Sequence, residues 1–218
     1  MFARSRPIFH GRAFTYEVIA APAGPAVPLA TFKAHAKTNA SVSDLLLTLY
    51  LEAATKYGEQ LTRRDFINRT YKTFRDNFPG TEVFNLSSLT NSGNVGFELR
   101  RSKLQAVNSV KYLKGDVLTT VASSVFYNTF ENDYSKILTR DNQVWPTDAD
   151  NRLQAIEIEF VAGFGVDDTF VPDCIQEAIM LHATQMLQNK GDCDELNVSE
   201  TVPAAAKVIY LQNRIENL

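Results

Sequence analysis

The sequence predicts an α+β protein in which a long β-rich insertion interrupts a helical bundle. Apolar residues recur with the period of a helix near residues 28–38, 43–58 and 172–190. Over about residues 65–162 the apolar pattern changes to a period of two, and β-branched and aromatic residues become frequent. These two periodicities, in this order, indicate packed helices with strands inserted between the second helix and the third.

The chain divides into three parts. Residues 1–26 are expected to form an extended arm, because Tyr16 and Val18 alternate with polar neighbours as in a strand. Residues 27–190 would hold the helical bundle and its insertion as one domain. Residues 191–218 begin as an acidic, polar linker and end in a short amphipathic helix.

Composition excludes several classes of protein. The chain has 218 residues, of which 44% are hydrophobic and 22% charged, the balance of a soluble globular protein that buries a core. Its formal net charge of −3 argues against binding nucleic acid over the whole surface. No run of about 18 apolar residues is present, so no membrane-spanning segment is predicted.

The two cysteines do not predict a metal site. Cys174 and Cys193 lack the Cys-x-x-Cys spacing of zinc ligands. Cys174 lies in a helical pattern, and we expect it to be a small buried residue.

The first two helices have clear start signals. Pro28 suits the first position of one helix, and Ser43 with Asp44 favours the start of the next. Gly58 offers a stop for the second helix. The predicted core stripe of that helix contains Leu46, Leu49, Tyr50, Ala53 and Tyr57. Further leucines on its other faces, Leu45, Leu47 and Leu51, suggest contact with a second body.

The insertion contains six β-like runs, separated by turn signals such as Lys114-Gly115-Asp116. Trp145 stands in a polar neighbourhood within this part. Because its apolar area is large, we expect it to be buried and to anchor the insertion onto the helices. The runs are residues 66–78, 82–86, 97–99, 106–112, 118–121 and 156–161.

The last two helices are predicted from proline starts and apolar stripes. Pro172 opens the third helix, whose core face includes Ile175, Ala178, Ile179, His182 and Met186. Pro203 opens the last helix, which has no evident partner within the chain and is too short to be stable alone. We therefore expect it to dock on another protein through Val208, Ile209, Leu211, Ile215 and Leu218.

No group of residues predicts catalysis, a cofactor or a metal. Glu157 and Glu159 alternate with apolar residues, which places them on the solvent face of a strand rather than in an acid–base pair. Asp167 and Asp168 precede a helix, where acidic residues favour the positive end of its dipole. His182 lies on an apolar face and is expected to be a packed core residue. No enzymatic activity is predicted.

Taken in order, several segments resemble the head–tail connector (adaptor) proteins of tailed bacteriophages and of gene-transfer particles. The stretch 25–37 is similar to the opening helix of that family, and 44–57 followed by 60–63 is similar to its second helix and the exit into strands. The segment 81–96 is longer than the compact strand and turn of the family. The remaining segments that recur in the family's order are 97–99, 104–112, 144–146, 156–165 and 171–179.

The resemblance implies a structural protein of the virion neck, made in the host cytoplasm. Such adaptors form a closed ring of roughly twelve subunits beneath the portal protein, with heterologous contacts between neighbours. The ring extends the channel for double-stranded DNA, without sequence-specific contact, and gives a tail, stopper or nozzle protein a docking platform. In this family the C-terminal segment reaches the portal, so the last helix would be the portal-binding element.

Two other classes of function stay open from the sequence. A β-rich ligand- or carbohydrate-binding module of a virion or cell-surface assembly could use the aromatic residues Tyr127, Phe130 and Tyr134 as its platform. A hydrolase whose acidic residues are scattered along the chain is the third reading.

Overall fold

The computed structural model describes residues 16–38, 42–79, 96–99, 101, 103–131, 134–189 and 202–215. Within them the protein is α+β, with four helices and eight strands in two antiparallel sheets. The helices are α1 (Leu29–Ala36), α2 (Asp44–Thr62), α3 (Asp173–Gln188) and α4 (Ala204–Gln212). The strands are β1 (Tyr16–Ala20), β2 (Arg69–Arg75), β3 (Gly96–Leu99), β4 (Leu104–Lys114), β5 (Val117–Thr120), β6 (Phe126–Glu131), β7 (Tyr134–Thr139) and β8 (Ile156–Ala162).

The larger sheet has the strand order β1-β2-β8-β4-β5, and the smaller has the order β3-β7-β6. The N-terminal arm is therefore partly a sheet strand, because β1 pairs with β2. The hairpin β6–β7 was not predicted, and the predicted strand 82–86 lies outside the described residues. Gly115 and Asp116 both have positive φ, 56° and 64°, as the tight β4–β5 turn requires.

Four of the predicted helix limits change. Pro28, Pro172 and Pro203 occupy the cap position just before their helices, one residue earlier than predicted. The prediction that Gly58 ends α2 is wrong, because the helix continues to Thr62 and ends at Arg63 in the left-handed conformation. Gly58 serves packing: a Cβ there would lie 2.7 Å from the Tyr210 ring and 2.9 Å from the Phe66 ring.

Apolar side chains form two cores. The helical core contains buried residues of α1 to α4 together with Phe66 and Ile67, and the sheet core lies between the two sheets. Trp145 belongs to the sheet core, where it stacks on Phe78 at 5.2 Å and on Phe126 at 6.0 Å between ring centroids. Its predicted burial agrees with its 4% exposure, but the prediction that it anchors the strands onto the helices is wrong.

The buried face of α2 differs from the predicted stripe. Leu47, Leu51 and Ala54 are buried, whereas Leu49 is 52% exposed and Leu46 and Tyr50 are only partly buried. The predicted stripe was one position out of phase because α2 has apolar residues on several faces. Its packing against α3 selects the face that is buried.

The prediction for α3 agrees more closely with the structure. Ile175, Ala178, Ile179 and His182 are buried as predicted. Met186 is only partly buried, and the last buried residue of the helix is Ala183. Cys174, by contrast, is exposed, contrary to the expectation of a buried residue. Cys193 lies outside the described residues.

The prediction that α4 has no partner within the chain is also wrong. Ala206 and Tyr210 are buried in the helical core, and α4 packs against α3 and α2. Ile215, which follows the helix, is 2% exposed. Ile215 further donates its backbone N–H to the Thr62 carbonyl at the end of α2. Within α4 the buried residues are the small Ala206 and the aromatic Tyr210, whereas the sequence pattern had favoured a face with Val208 and Leu211, which are exposed.

Trp145→Ala is expected to lower the free energy of unfolding by about 3–5 kcal/mol, because the substitution leaves a cavity between the two sheets. Leu153 is 79% exposed, so Leu153→Ala is the control and should change stability by less than about 0.5 kcal/mol. Chemical denaturation measures both variants. Equal effects would contradict the role of Trp145 as a core residue of the two sheets.

Candidate functional surfaces

A buried cluster of charged side chains joins the end of α2 to the start of β2. Glu59 Oε2 accepts from Arg69 Nη2 at 2.7 Å, and Asp65 Oδ1 accepts from Arg69 Nη1 at 3.1 Å. Glu59 Oε1 also accepts from the backbone N–H of Phe66, and Asp65 Oδ1 accepts from the hydroxyl of Tyr71 at 2.6 Å. The two carboxylates are 9% and 1% exposed, so this junction is held by charges taken out of water.

A second arginine reaches the same cluster from the connection between β3 and β4. Arg101 Nη1 lies 3.7 Å from Asp65 Oδ1. Its guanidinium lies over the rings of Tyr71 at 4.9 Å and Tyr16 at 5.3 Å, a cation–π arrangement. Strand β1, strand β2 and the β3–β4 connection therefore meet at one charged group.

Burial dominates the electrostatics of this cluster. It raises the pKa of Glu59 and of Asp65 above their ordinary values, although Arg69 and Arg101 attract the ionised forms. One oxygen of Asp65, Oδ2, has no hydrogen-bond partner among the described residues. The cluster therefore specifies how the chain turns from helix to strand more than it adds to stability.

An aromatic cluster holds α4 on the other helices. The ring of His182 lies 5.0 Å from that of Tyr57 and 6.5 Å from that of Tyr210. Tyr210 fits against Gly58, where any larger residue would displace it. Within the part of the chain that is described, His182 Nδ1 and the Tyr210 hydroxyl lack hydrogen-bond partners. Burial lowers the pKa of His182 and raises that of Tyr210.

The predicted portal-binding residues divide between the core and the surface. Val208 and Leu211, 52% and 42% exposed, form an outward apolar strip, called here the α4 strip. Ile209 is partly buried against the helical core and Ile215 is 2% exposed, so neither is available to a partner while α4 is docked. Leu218 lies outside the described residues.

A similar exposed pair lies on α2. Leu45 and Leu49 are 71% and 52% exposed and stand one turn apart, which places them on the same face of the helix. Of this pair, called here the α2 strip, the sequence assigned only Leu45 to contact with a second body, and Leu49 was predicted in the core stripe. Leu47 and Leu51, which were also assigned to such a contact, are buried within the chain. Isolated exposed leucines are ordinary, and these two neighbouring ones form a small apolar patch on the helix.

The candidate catalytic residues have structural roles. Glu157 is on the outer face of the larger sheet between Lys72 and Lys111, with N–O distances of 3.1 and 3.9 Å. Asp167 accepts from the backbone N–H of Thr169 and so caps the short 3-10 turn Asp168–Phe170. Across the described residues, no three His, Cys, Asp or Glu side chains are grouped as metal ligands, and no helix is long and apolar enough to cross a bilayer.

The carbohydrate platform of the alternative function stays a prediction. Tyr127 on β6 is partly buried, and the side chains of Phe130 and Tyr134 lie outside the described residues. Trp145 lines a shallow groove with Tyr112 and Val125, but its ring is almost entirely buried and does not offer a stacking face.

Sequence reasoning missed both clusters, for different reasons. Glu59, Asp65 and Arg69 are spaced across the end of a helix and the start of a strand, a spacing without a recognisable period. The one sign of this cluster in the sequence is an acidic residue, Glu59, at a position on the buried face of α2. Tyr210 had a clearer signal, because it follows Ala206 by one helical turn.

The fold is shared with chains of gene transfer agent (GTA) particles. A chain from the neck of the empty GTA particle, computed with C6 symmetry, is 18% identical with a TM-score of 0.70, over 94% of this chain and 97% of that chain. A chain from the virion of the native particle is 19% identical with a TM-score of 0.68, over 93% and 96%. A chain from the neck of the native particle, computed with C12 symmetry, is 19% identical with a TM-score of 0.65, over 94% and 97%.

No protein family matches the sequence, and no curated protein does. The structural likeness nevertheless covers nearly the whole of both chains, so no large part of either fold is left over. The resemblance to head–tail connectors that the sequence indicates is therefore confirmed at the level of the fold.

Arg69→Met is expected to cost about 3 kcal/mol of unfolding free energy, because it leaves two buried carboxylates without their shared partner. The control is Arg152→Met, which breaks an exposed 2.7 Å pair with Asp116 and should cost at most about 1 kcal/mol. Urea denaturation of both variants measures the difference. A cost for Arg69→Met no larger than the control would show that the buried cluster does not hold the junction.

The contribution of His182 to the stability of the protein is expected to fall as the pH drops below about 6.5. Its folded pKa is lowered from 6.5, so below that pH the unfolded chain binds a proton that the folded chain resists. The stabilisation that His182 contributes is complete above pH 6.5. As the pH falls below 6.5, this residue lowers the free energy of unfolding by no more than about 1.4 kcal/mol per pH unit.

Denaturation of His182→Gln between pH 7.5 and 5.5, set beside the wild type, measures this contribution. The variant should show a shallower loss of stability on acidification. His35 is exposed, so His35→Gln is the control and should keep the wild-type dependence. An unchanged dependence in His182→Gln would contradict the assignment.

Proposed function

We propose that this chain is a head–tail connector (adaptor) of a tailed, phage-like particle. It forms a ring in the neck of the virion beneath the portal protein, extends the channel for double-stranded DNA and gives the next tail component, a stopper or nozzle protein, its platform. It acts as a structural protein and not as an enzyme. The observation that carries the proposal is the shared fold with GTA neck chains over 94% of its length.

The exposed apolar strips support an assembly role. The α4 strip and the α2 strip are on the surface of helices whose opposite faces are buried, so each presents apolar side chains at a fixed position. Of the side chains considered for chemistry, Glu157 is in an ion pair, Asp167 caps a turn and His182 is buried against aromatic rings. Surfaces, and not a pocket, therefore carry the function.

The portal-binding element is the docked helix α4, and not a free C-terminal arm. Tyr210 and Ala206 fix the helix on the chain, which leaves Val208 and Leu211 facing outward. A truncation of residues 199–218 would uncover the helical core as well as remove the strip. Substitution on the exposed face separates portal binding from folding.

Val208→Lys combined with Leu211→Lys is expected to abolish attachment to portal-bearing heads, because two charges replace the apolar strip. The thermal midpoint should change little, since both side chains face outward. Co-sedimentation with purified portal-bearing heads measures attachment. Leu153→Lys, an exposed apolar position in another part of the chain, is the control and should bind as the wild type does.

Normal attachment by the double variant would contradict the assignment of portal binding to α4. The adaptor proposal itself is tested by labelling the protein in intact particles and locating the label by electron microscopy. A label found away from the junction of head and tail would overturn it.

A further inference from the structure

Among the described residues, β1 and β5 are the outermost strands of the larger sheet, and both carry exposed apolar side chains. On β1, Val18 and Ile19 are 53% and 47% exposed, and on β5, Val117 and Leu118 are 64% and 49% exposed. Strands at the edge of a sheet usually carry charges or proline, which prevent pairing with another chain. β5 has neither, since it reads Val-Leu-Thr-Thr.

The backbone of β5 is ready to pair on its outer side. Leu118 stands opposite Leu113 in β4. Leu113 directs its hydrogen bonds away from β5, because its N–H donates to the Ala155 carbonyl and its own carbonyl accepts from the N–H of Asp150. Leu113 and Leu118 are therefore a non-hydrogen-bonded pair, and the N–H and carbonyl of Leu118 point to the open edge.

One apolar residue at each edge, Val18 on β1 and Val117 on β5, lies on the same face of the sheet. Val18 is opposite Tyr71, whose side chain is in the sheet core. Thr119 is opposite Tyr112, also in that core, so Val117, two residues earlier on the same strand, shares its face. A strand added to either edge would therefore lie beside a valine, Val18 or Val117, on the face of the sheet that is buried.

The direction of the strands defines how two copies could join. Each neighbouring pair in β1-β2-β8-β4-β5 is antiparallel, so β1 and β5, four positions apart, run in the same direction. A sheet that continues into a second copy would thus pair β5 with the partner's β1 in parallel. The similar GTA neck was computed with C12 symmetry, in which each subunit is related to the next by a rotation of about 30° (360°/12).

We propose that β5 of one copy pairs with β1 of the next, so that the larger sheets join head to tail around the ring. This inference rests on the proposed adaptor function and defines one of its interfaces. The contact is heterologous, since the two edges differ, and such contacts give a ring when the rotation from one subunit to the next closes. The bulge between Val18 and Ala20 limits the regular pairing to residues 16–18 of β1.

Cysteine cross-linking tests the contact in rings assembled on portal-bearing heads. The variant Val18→Cys with Val117→Cys, in a background of Cys174→Ser and Cys193→Ser, is treated with a short bismaleimide. A ladder of covalent oligomers is expected up to the size of the ring. Each single variant should give no covalent oligomers, and a mixture of the two single variants should give mainly covalent dimers.

Cross-linking within a single variant would show contacts between identical edges and overturn the proposal. Rings visible by electron microscopy without any ladder in the double variant would overturn it as well. If the wild type forms no ring on the heads at all, the adaptor function fails together with this contact. The two failures are thus distinguishable.

A backbone substitution gives an independent test. Leu118→Pro removes an N–H that points outward and leaves the hydrogen bonds between β4 and β5 in place. Leu118→Ala keeps the N–H and is the matched control. We expect the proline variant to keep its circular dichroism spectrum and to lose at least tenfold in ring occupancy. Wild-type occupancy in a folded proline variant would contradict pairing through β5.

Discussion

The buried Glu59–Arg69–Asp65 cluster is the constraint on which the relation between helices and strands depends. It lies where the chain leaves α2 and enters β2, the point at which the helical core gives way to the sheet core. Asn68 lies in this connection and donates its N–H to the Gly165 carbonyl, and Gly163, with φ of 149°, leaves no room for a Cβ beside it. The entry into β2 and the exit from β8 are therefore fixed together.

A second constraint determines which surface the C-terminal helix presents. Tyr210 can occupy its site only because position 58 is glycine, and the Tyr57 and His182 rings close the site on the other side. Once this ring is seated, the rotation of α4 about its axis is determined, and Val208 and Leu211 must face outward. A docking surface made in this way is preorganised, so little ordering entropy is lost when a partner binds.

The sequence predicted which segments form helices better than it predicted which face of each helix is buried. The α3 stripe was recognisable because Ile175, Ile179 and His182 stand on one side of a helix with polar residues opposite. α2 offered leucines on several sides, and only its partner α3 determines that Leu47 and Leu51 are buried while Leu45 and Leu49 are not. The buried ion pairs gave no periodic signal at all, since their partners are brought together by a change from helix to strand. The N–H and carbonyl directions at the edge of β5 depend on register, which a single strand does not encode.

The distribution of exposed apolar residues suits the ring subunit that we propose. A heterologous ring needs two different and complementary lateral surfaces, and a neck component needs further surfaces towards the head and the tail. A chain meeting these needs cannot bury every apolar residue within itself. The exposed pairs on β1, β5, α2 and α4 are small and separate, which limits unspecific association of the free chain while leaving several docking points. Stable assembly then requires that several of them be covered at once, and a closed ring on a symmetric partner provides that condition because each subunit gains all its contacts together.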